Sequence, residues 1–401
     1  MAIEIKKVET ISDLRRFVDF HYDLYKDCPY DVPSLFIDEM NTLRSDRNAA
    51  FDFCEAAYFM AYKDGRMVGR IAGILNPRAN ERWQTKDVRF GWIDFIDDIE
   101  VSRALFNAVE EWGRSKGMTA IVGPLGFTDF DPEGMLTMGF DKLSTMETIY
   151  NYEYYPQHME QLGGWVKDND YVEYYLPMPD KTPEKFAKIA EMIEKRYNLH
   201  VRKVTRKDIR NGYARELFKI INETYKDLYG FVSLTERQID QYVNTYLPAL
   251  DLSLVTVIVD GNKNNKIAGV GITIPSLARA VQKCRRGRLF PFGWWHLLRA
   301  VKCHKTEGVD LLLIGFLPEY RAKGANALLF SDLIPRYIKY GFKWGETNVE
   351  MEENSSVRGQ WDTIEHINHK RRRCYRKQLF PETQTQGSSM ASKEDTHVGI
   401  K

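Results

Sequence analysis

Apolar residues alternate with polar ones over short runs of the chain and recur every three or four positions over longer runs. Residues 56–62 and 67–75 are rich in strand-forming side chains and are separated by the polar turn 63–66, which predicts two neighbouring strands. From Val101 onward the apolar positions follow helical spacing, which predicts an amphipathic helix that ends at Gly117.

The second half of the chain shows the same order of patterns. Residues 253–259 and 267–274 are apolar runs on either side of a polar turn. The strand pattern 311–316 is followed by a helical pattern over 326–340, with Gly341 as its stop signal. Each half is therefore predicted to be an α+β or α/β unit, in which a mixed, mostly antiparallel twisted sheet carries helices on both faces.

Four short segments of the first half recur in the same order in the second half, which indicates an internal repeat. The pairs are Ile5–Val8 with Val201–Val204, Tyr25–Asp27 with Tyr225–Asp227, Gly69–Ile74 with Lys266–Ile272, and Leu105-Phe106 with Leu329-Phe330. Prolines at 177, 179 and 183 mark the junction. We therefore expect domains at 1–180 and 181–380, followed by a polar tail at 381–401 that is expected to be disordered.

Composition narrows the class of protein. The 401 residues carry a formal net charge of +1, so no overall field attracts nucleic acid or an anionic membrane. Five cysteines without a CxxC pair suit free thiols in a reducing compartment. The N-terminus lacks a signal-peptide core, and the apolar runs are too short for stable membrane insertion. We expect a cytoplasmic protein, without a metal site because nothing completes the pair His366 and His369.

Residues 311–330 contain the most informative motif. An apolar strand runs through Pro318 into a small basic turn, and a helix follows. A helix N-terminus presents unpaired N–H groups and partial positive charge, so a pyrophosphate could bind there with Arg321 and Lys323 as countercharges. From composition alone, an ordinary strand-to-helix turn with an exposed basic pair is an equally good interpretation.

The segment resembles the coenzyme A signature of GNAT acyltransferases, Arg/Gln-x-x-Gly-x-Gly/Ala. It departs from that signature at Ala322, where a second glycine is common, and at Asn326, where the last small residue is expected. The resemblance extends over residues 1–380 and is closest to bacterial tandem GNAT proteins described as N-acetyltransferase-like, which also share Gly123-Pro124, Glu352–Asn354 and Tyr375–Lys377. It implies that Gly315, Phe316 and Leu317 bind the pantetheine arm through their backbone. It also implies a pyrophosphate site formed by Arg321, Lys323, Gly324, Ala325, Asn326 and Ala327.

The first repeat differs at the equivalent turn. In the register of the repeat, Asp97 corresponds to Arg321 and Glu100 to Gly324. The carboxylates at 97, 98 and 100 would repel a pyrophosphate but are good residues for the start of a helix. We therefore expect the first repeat to have kept the fold without the cofactor site, and to form a wall of the acceptor pocket or support the active half.

Candidates for acid–base chemistry lie in residues 346–353. Strand alternation would place Glu346, Asn348, Glu350 and Glu352 on one face, lining either a cleft or a solvated surface. Glu352 is the preferred general base for deprotonating an amine, with Glu350 in reserve. By resemblance, Asn354 is expected to contact the cofactor.

Tyr375 lies near the end of the domain, where the family places its general acid. On a strand it would share a face with Arg371, Arg373 and Lys377, and these cations would lower its pKa and ease proton exchange with a thiolate. The alternative is a polar strand whose tyrosine ring packs in the core. The basic run is too short, in a chain with this net charge, to predict RNA binding.

The two repeats differ most at residues 276–306, where the second repeat carries an insert. Its interleaved aromatic and basic residues, over 285–295, could lie on a membrane interface, cover a substrate cleft or shelter a binding surface. We favour a lid over the acceptor, because the insert adjoins the strands that flank the pantetheine arm in GNAT proteins. A structural helical hairpin is the other interpretation, and a lipid-linked acceptor is compatible with the composition.

The function predicted from the sequence is acyl transfer from acetyl-CoA or another acyl-CoA to an amine on a small molecule or peptide. One alternative is a catalytically silent acyl-CoA-binding or scaffold protein. Another is aminoacyl transfer from tRNA, as in two-domain cell-wall ligases with a similar tandem fold, although the coenzyme A turn argues against it. No nucleic-acid partner is expected.

Overall fold

The computed structural model describes residues 2–247, 250–321, 323–353, 361 and 364–380. Asn354 and the predicted tail at 381–401 lie outside these residues. The described strands are β1 Glu4–Lys7, β2 Glu55–Lys63, β3 Arg66–Leu75, β4 Asp87–Phe95, β5 Ala120–Gly123, β6 Met135–Met138, β7 Val166–Pro177, β8 Leu199–Arg202, β9 Val255–Asp260, β10 Lys266–Pro275, β11 Gly308–Phe316, β12 Trp344–Thr347, β13 Glu350–Met351 and β14 Ile367–Gln378.

Helices flank this sheet in both halves. They are α1 Ile11–Leu24, α2 Phe36–Thr42, α3 Pro77–Trp83, α4 Ile99–Ser115, α5 Tyr154–Leu162, α6 Glu184–Tyr197, α7 Arg206–Arg210, α8 Tyr213–Tyr225, α9 Glu236–Tyr246, α10 Ala278–Val281, α11 Gly293–Cys303, α12 Pro318–Arg321 and α13 Asn326–Tyr340.

One continuous sheet passes through both halves, in the order β1-β2-β3-β4-β5-β14-β7-β12-β11-β10-β9-β8. The pairing is antiparallel except between β4 and β5 and between β11 and β12. The last strand of each half lies in the sheet of the other half, because β14 pairs with β5 and β7 pairs with β12. The mixed, mostly antiparallel sheet expected from the sequence is confirmed, and the two halves complete each other's sheet.

The starts of the two halves have equivalent local structure. Thr10 follows β1 and Thr205 follows β8, and each accepts a backbone hydrogen bond in a capping box with the aspartate three positions later. Such a cap contributes about 1 kcal/mol to helix stability. The repeated segments at residues 5–8 and 201–204 therefore prepare the same strand-to-helix transition.

The long helix of each half ends as predicted. Gly117 and Gly341 follow α4 and α13 with φ angles of 75° and 80°, which glycine adopts without strain. On α4, Val101, Leu105 and Val109 are fully buried against the sheet of the first half. The apolar spacing therefore located both the helix and its buried face.

The insert packs against the first half of the chain. Arg286 forms an ion pair with Asp19 at 3.1 Å and also contacts Asp23, while Arg288 reaches Asp19 at 3.0 Å. The side-chain amide of Gln282 donates to the carbonyl oxygen of Asp31 at 2.7 Å. The insert, which includes α10 and α11, is thus held between the halves.

Candidate functional site

The two parallel strands of the second half separate partway along their length. Residues Gly308–Leu311 of β11 pair with Trp344–Thr347 of β12, whereas the rest of β11 continues beside β10 alone. After Thr347 the chain leaves the ladder, and β13 pairs with β7. The gap, called here the splay cavity, has a volume of about 150 Å³.

Acidic and aromatic side chains from both halves surround the splay cavity. Its polar lining comprises Asp129, Glu133, Tyr171, Tyr225, Tyr229, Asn348, Glu350 and Trp361. Apolar side chains of β11 and of the loop between α8 and α9 complete the wall. Ligand sites of this kind combine an apolar lining with a few convergent polar groups.

Glu350 is the carboxylate that enters the cavity from the second half. The indole N–H of Trp361 donates to its two oxygens at 2.9 and 3.1 Å. Removal from water disfavours the ionised form and raises the pKa of Glu350 to about 8. A carboxyl group with such a pKa can exchange protons near neutral pH.

Glu352 lies in a different environment. Its carboxylate accepts a hydrogen bond from Arg371 at 2.6 Å, and it is absent from the lining of the splay cavity. Glu352, the general base preferred from the sequence, is therefore held by an ion pair. Glu350, the reserve candidate, occupies the cavity.

The expectation that Glu346 shares one face with Asn348, Glu350 and Glu352 is wrong. The strand is interrupted at residues 348–349, between β12 and β13, so the alternation does not continue. Glu346 is buried beside Lys370 and lines a separate cavity.

The first half contributes two carboxyl groups that the sequence reasoning missed. Asp129 and Glu133 lie in the loop after Gly123-Pro124 and share a hydrogen bond. Burial raises the pKa of both groups, and that of Glu133 rises well above its usual range, with the charge of Asp129 adding to the effect. The signal was the acidic loop itself, because Asp129, Asp131 and Glu133 alternate within five residues.

Tyrosines reach the cavity from several elements. The Tyr225 hydroxyl, at the end of α8, donates to the carbonyl oxygen of Ile314 on β11 at 3.3 Å. Burial raises the pKa of Tyr225, so its hydroxyl remains protonated at neutral pH. Tyr229 contacts Asp168.

Tyr375 lies elsewhere, in the apolar core of the first half with Phe90 and Tyr155. It is absent from the lining of the splay cavity. The expected lowering of its pKa is wrong, since burial raises the pKa to about 12 despite the nearby Arg373. The guanidinium of Arg373 does lie on the side of Tyr375, 5.9 Å from the centre of its ring.

The turn before α13 brings most of the predicted cofactor residues together. Gly324 has a φ of 72° and is exposed, and Lys323 lies 4.6 Å from the ring of Tyr320. α13 begins at Asn326, with Ala327 in its first turn, and the side chain of its N-cap residue Ala325 makes no capping hydrogen bond. In the first half, by contrast, the Asp98 side chain accepts the N–H of Glu100 and so caps α4, as predicted.

Other predicted cofactor residues already have internal partners. The Arg321 guanidinium donates to the carbonyl oxygens of Phe316 at 3.0 Å and Thr224 at 2.8 Å. The backbone N–H of Leu317 donates to Ala268 at 2.9 Å. A Cβ at Gly315 would lie 2.7 Å from the Thr224 hydroxyl oxygen, so glycine is needed there for packing. Arg321 thus fixes the end of β11 to α8.

In the first half, the region at the ends of β4 and β5 corresponds to the splay cavity. This region is filled by an ionic cluster. His21 lies 3.3 Å from Asp31 and 3.1 Å from Asp94, which also binds Arg70 at 2.6 Å. The two carboxylates outweigh the desolvation of the imidazole and raise the pKa of His21 to about 10. The remaining cavity is only about 40 Å³, so this region is closely packed.

The insert does not line the splay cavity, so it is not a lid over that cavity. None of the described lining residues comes from 276–306. The insert follows β10 and precedes β11, so it lies at the end of β11 opposite the splay, where it lines a cavity of about 720 Å³. Among the described residues, no helix combines the length and apolar character needed to cross a bilayer.

Two curated proteins are similar to the chain along nearly its whole length. Protein YghO of Escherichia coli strain K12 is 30% identical over 381 residues, which cover 92% of this chain and 93% of the relative. Bacterial ceramide synthase of Caulobacter vibrioides strain NA1000 / CB15N is 26% identical over 386 residues, covering 94% and 98%. No family model matches the chain.

Solved structures share the fold at low sequence identity. A tandem GNAT protein from the clavulanic acid biosynthesis pathway superimposes with a TM-score of 0.55 and 11% identity, over 95% of this chain and 99% of that one. A GCN5-related N-acetyltransferase from Sphaerobacter thermophilus gives a TM-score of 0.51 and 12% identity, over 94% and 96%. The architecture is that of tandem GNAT proteins.

Proposed function

The chain belongs to the same family as Protein YghO and has the tandem GNAT fold of acyltransferases, and from this premise we propose that it transfers an acyl group from acyl-CoA to an amine. The chemistry is placed in the splay cavity. The observation that carries this assignment is Glu350, a carboxyl group in the cavity with a pKa of about 8.

The carboxyl groups of the cavity suit an amine acceptor. Asp129 and Glu133 approach from the first half, and Glu350 from the second. An amine arrives in water mainly as its ammonium ion, which carboxyl groups bind and can deprotonate. The first half therefore supplies a wall of the acceptor site in this proposal.

The turn before α13 suits the diphosphate of acyl-CoA. The N-cap residue Ala325 makes no side-chain capping hydrogen bond, Gly324 leaves the approach open, and Lys323 adds positive charge. Backbone N–H groups at a helix start bind phosphate oxygens well. Bound acyl-CoA would supply a thioester carbonyl, which the amine attacks.

In the proposed reaction Glu350, as carboxylate, takes a proton from the acceptor ammonium or from its attacking nitrogen. The new C–N bond forms as the C–S bond breaks, and the thiolate receives a proton. Tyr225 is our candidate donor, because its hydroxyl already contacts the splayed part of β11 at Ile314. Trp361 orients the Glu350 carboxylate through the indole N–H.

For the acceptor we propose a long-chain amino alcohol, because the Caulobacter relative is named a ceramide synthase. A ceramide is the N-acyl derivative of such an amine. A reducing, cytoplasmic location, where acyl-CoA is available, is part of the proposal.

The test is to incubate purified protein with palmitoyl-CoA and sphinganine and to follow free thiol and lipid products together. We expect equimolar release of thiol and formation of the N-acyl amide, identified by mass spectrometry. Thiol release without amide would leave only a thioesterase. If the protein binds palmitoyl-CoA but releases no thiol with either sphinganine or short amines as acceptor, the proposed function is contradicted.

A further inference from the structure

A second cavity, of about 720 Å³, lies at the end of β11 opposite the splay, and its lining shares no residue with the splay cavity. It is called here the basic cavity. The insert forms one side through α10 and α11, and residues 142–144 of the first half form another. Its volume is in the range of small-molecule binding sites.

Cations dominate the rim of the basic cavity. Five basic side chains line it, at Lys142, Arg279, Lys283, Arg299 and Lys305. Among the described residues, Lys283, Arg299 and Lys305 have no ion-pair partner, whereas the rim carboxylate Glu307 is neutralised by Lys343. The rim therefore has uncompensated positive charge, which attracts anions.

The floor adds polar groups without adding net negative charge. His369 lies 3.1 Å from Glu346, and Glu346 also contacts the buried ammonium of Lys370. The Ser144 hydroxyl, which lines the cavity, is buried without a hydrogen-bond partner among the described residues. Burial also raises the pKa of two carboxyl groups that interact with Glu346. The pKa of Glu147 rises to about 7 and that of Asp310 rises well above its usual range, which reduces the negative charge of both. An unsatisfied buried hydroxyl beside cations is a suitable partner for an anionic oxygen.

We propose that the basic cavity binds a phosphate group, carried by a small phosphorylated molecule or by a lipid headgroup. Guanidinium and ammonium groups form strong charge-assisted hydrogen bonds with phosphate oxygens. The cavity is distinct from the turn proposed for acyl-CoA, which follows the opposite end of β11. The inference stands independently of the proposed acyl transfer.

The outer side of α11 suggests how a lipid could reach this site. Trp295 and Leu298 are 48% and 41% exposed and lie three residues apart on one face of the helix. His296 and Arg299, which line the cavity, lie on the neighbouring face. A helix with apolar side chains outward and cations beside them suits the surface of an anionic bilayer. A lipid headgroup could then enter the cavity from that surface.

The experiment compares the full chain with the double variant Lys283→Gln/Arg299→Gln. Lys302→Gln, on α11 but outside the lining, is the matched control. Inorganic pyrophosphate is titrated by calorimetry, and vesicles of phosphatidylglycerol or of phosphatidylcholine are used in flotation. The titrations are made in the Gly324→Asp background, so that the turn before α13 does not contribute. We expect the double variant to lose affinity for pyrophosphate there by at least about tenfold, because two charge-assisted contacts are removed. Lys302→Gln should bind as the parent does.

The vesicle arm separates the two sources of phosphate. If the parent floats with phosphatidylglycerol vesicles and the double variant does not, the ligand of the basic cavity is a lipid headgroup. If the parent binds pyrophosphate but does not float with vesicles, the ligand is a soluble phosphorylated molecule. Gly324→Asp, in the turn before α13, should retain pyrophosphate in the basic cavity. Loss of all pyrophosphate binding in Gly324→Asp, unchanged binding in the double variant, or no binding of either probe by the parent would overturn the inference.

Discussion

At the scale of single residues, the environment of each carboxylate decides what it can do. Glu350 and Glu352 are two positions apart, yet Glu350 enters the splay cavity while Glu352 is paired with Arg371. The sequence identified both residues as candidates but ranked Glu352 first. Which of the two enters the cavity depends on the break in the strand at residues 348–349, and a regular alternation of side chains does not reveal this break.

We predict that Glu350→Gln lowers kcat by about 10²–10⁴-fold, the usual contribution of general acid–base catalysis, without changing acyl-CoA affinity. The amide keeps the shape of the carboxyl group and cannot take a proton. Glu352→Gln is the matched control and should keep kcat within about threefold, because it removes only a partly exposed ion pair. Equal effects of the two variants on kcat would show that Glu350 is not the base.

The rate should also depend on pH through the same group. Because the pKa of Glu350 is raised to about 8, the carboxylate that acts as base is a minority below pH 8 and the majority above it. We expect kcat/KM to rise with pH up to about 8, with this limb absent in Glu350→Gln. A rate that is constant from pH 6 to 9 in the parent would contradict the assignment.

Two tyrosines provide a further comparison. Tyr225→Phe should reduce kcat by at least about tenfold if its hydroxyl protonates the thiolate, while coenzyme A affinity is retained. Tyr375→Phe should leave kcat close to that of the parent, because its ring packs in the core of the first half. The opposite pattern, with loss only in Tyr375→Phe, would restore Tyr375 as the general acid expected from the family resemblance.

At the scale of elements, the sequence predicted best those features that depend on residues close to one another in the chain. Helix stops at Gly117 and Gly341, the cap at Asp98 and the turn at residues 63–66 all depend on neighbouring side chains and backbone. The location of Tyr375 depends instead on a register shift between β14 and β7 and on the pairing of β14 with β5, more than 250 positions earlier. Likewise, Asp129 and Glu133 reach the splay cavity only through contacts between the halves.

The repeated capping boxes give a prediction for these elements. Thr10→Ala and Thr205→Ala should each lower the free energy of unfolding by about 1 kcal/mol, because each leaves a helix-start N–H without its side-chain partner. Urea denaturation measures the change. Serine at either position keeps the hydroxyl and should retain most of the stability, and an alanine variant as stable as the parent would show that the cap contributes nothing.

At the scale of the whole molecule, the exchanged strands β7 and β14 make the halves interdependent. The sequence predicted a junction near residue 180, and β7 ends at Pro177, yet β7 pairs with β12 and β14 of the second half. A fragment of residues 1–180 lacks β14, so the edge of β5 would be left unpaired, and unpaired edges promote aggregation. Charged side chains in the 1–180 fragment cannot replace the backbone pairing that the missing strand provides.

We therefore predict that residues 1–180 and 181–401 are each insoluble or aggregated when expressed alone, and form a soluble 1:1 complex when co-expressed. Size-exclusion chromatography with light scattering measures the outcome. The intact chain cleaved between residues 180 and 181 is the control and should remain associated. Two independently folded, monomeric halves would show that the exchanged strands are dispensable.

We expect acyl-CoA to bind once per chain, at the turn before α13. Calorimetry with coenzyme A tests it most directly, using Gly324→Asn and Gly324→Asp, two side chains of equal size that both tolerate the left-handed backbone at this position. Glu100→Gln, at the equivalent position of the first half, serves as control. One site is expected in the parent and in Glu100→Gln. Binding should be much weaker in Gly324→Asp than in Gly324→Asn, because the added charge repels the diphosphate. Two equivalent sites in the parent, or parental affinity in a folded Gly324→Asp, would contradict it.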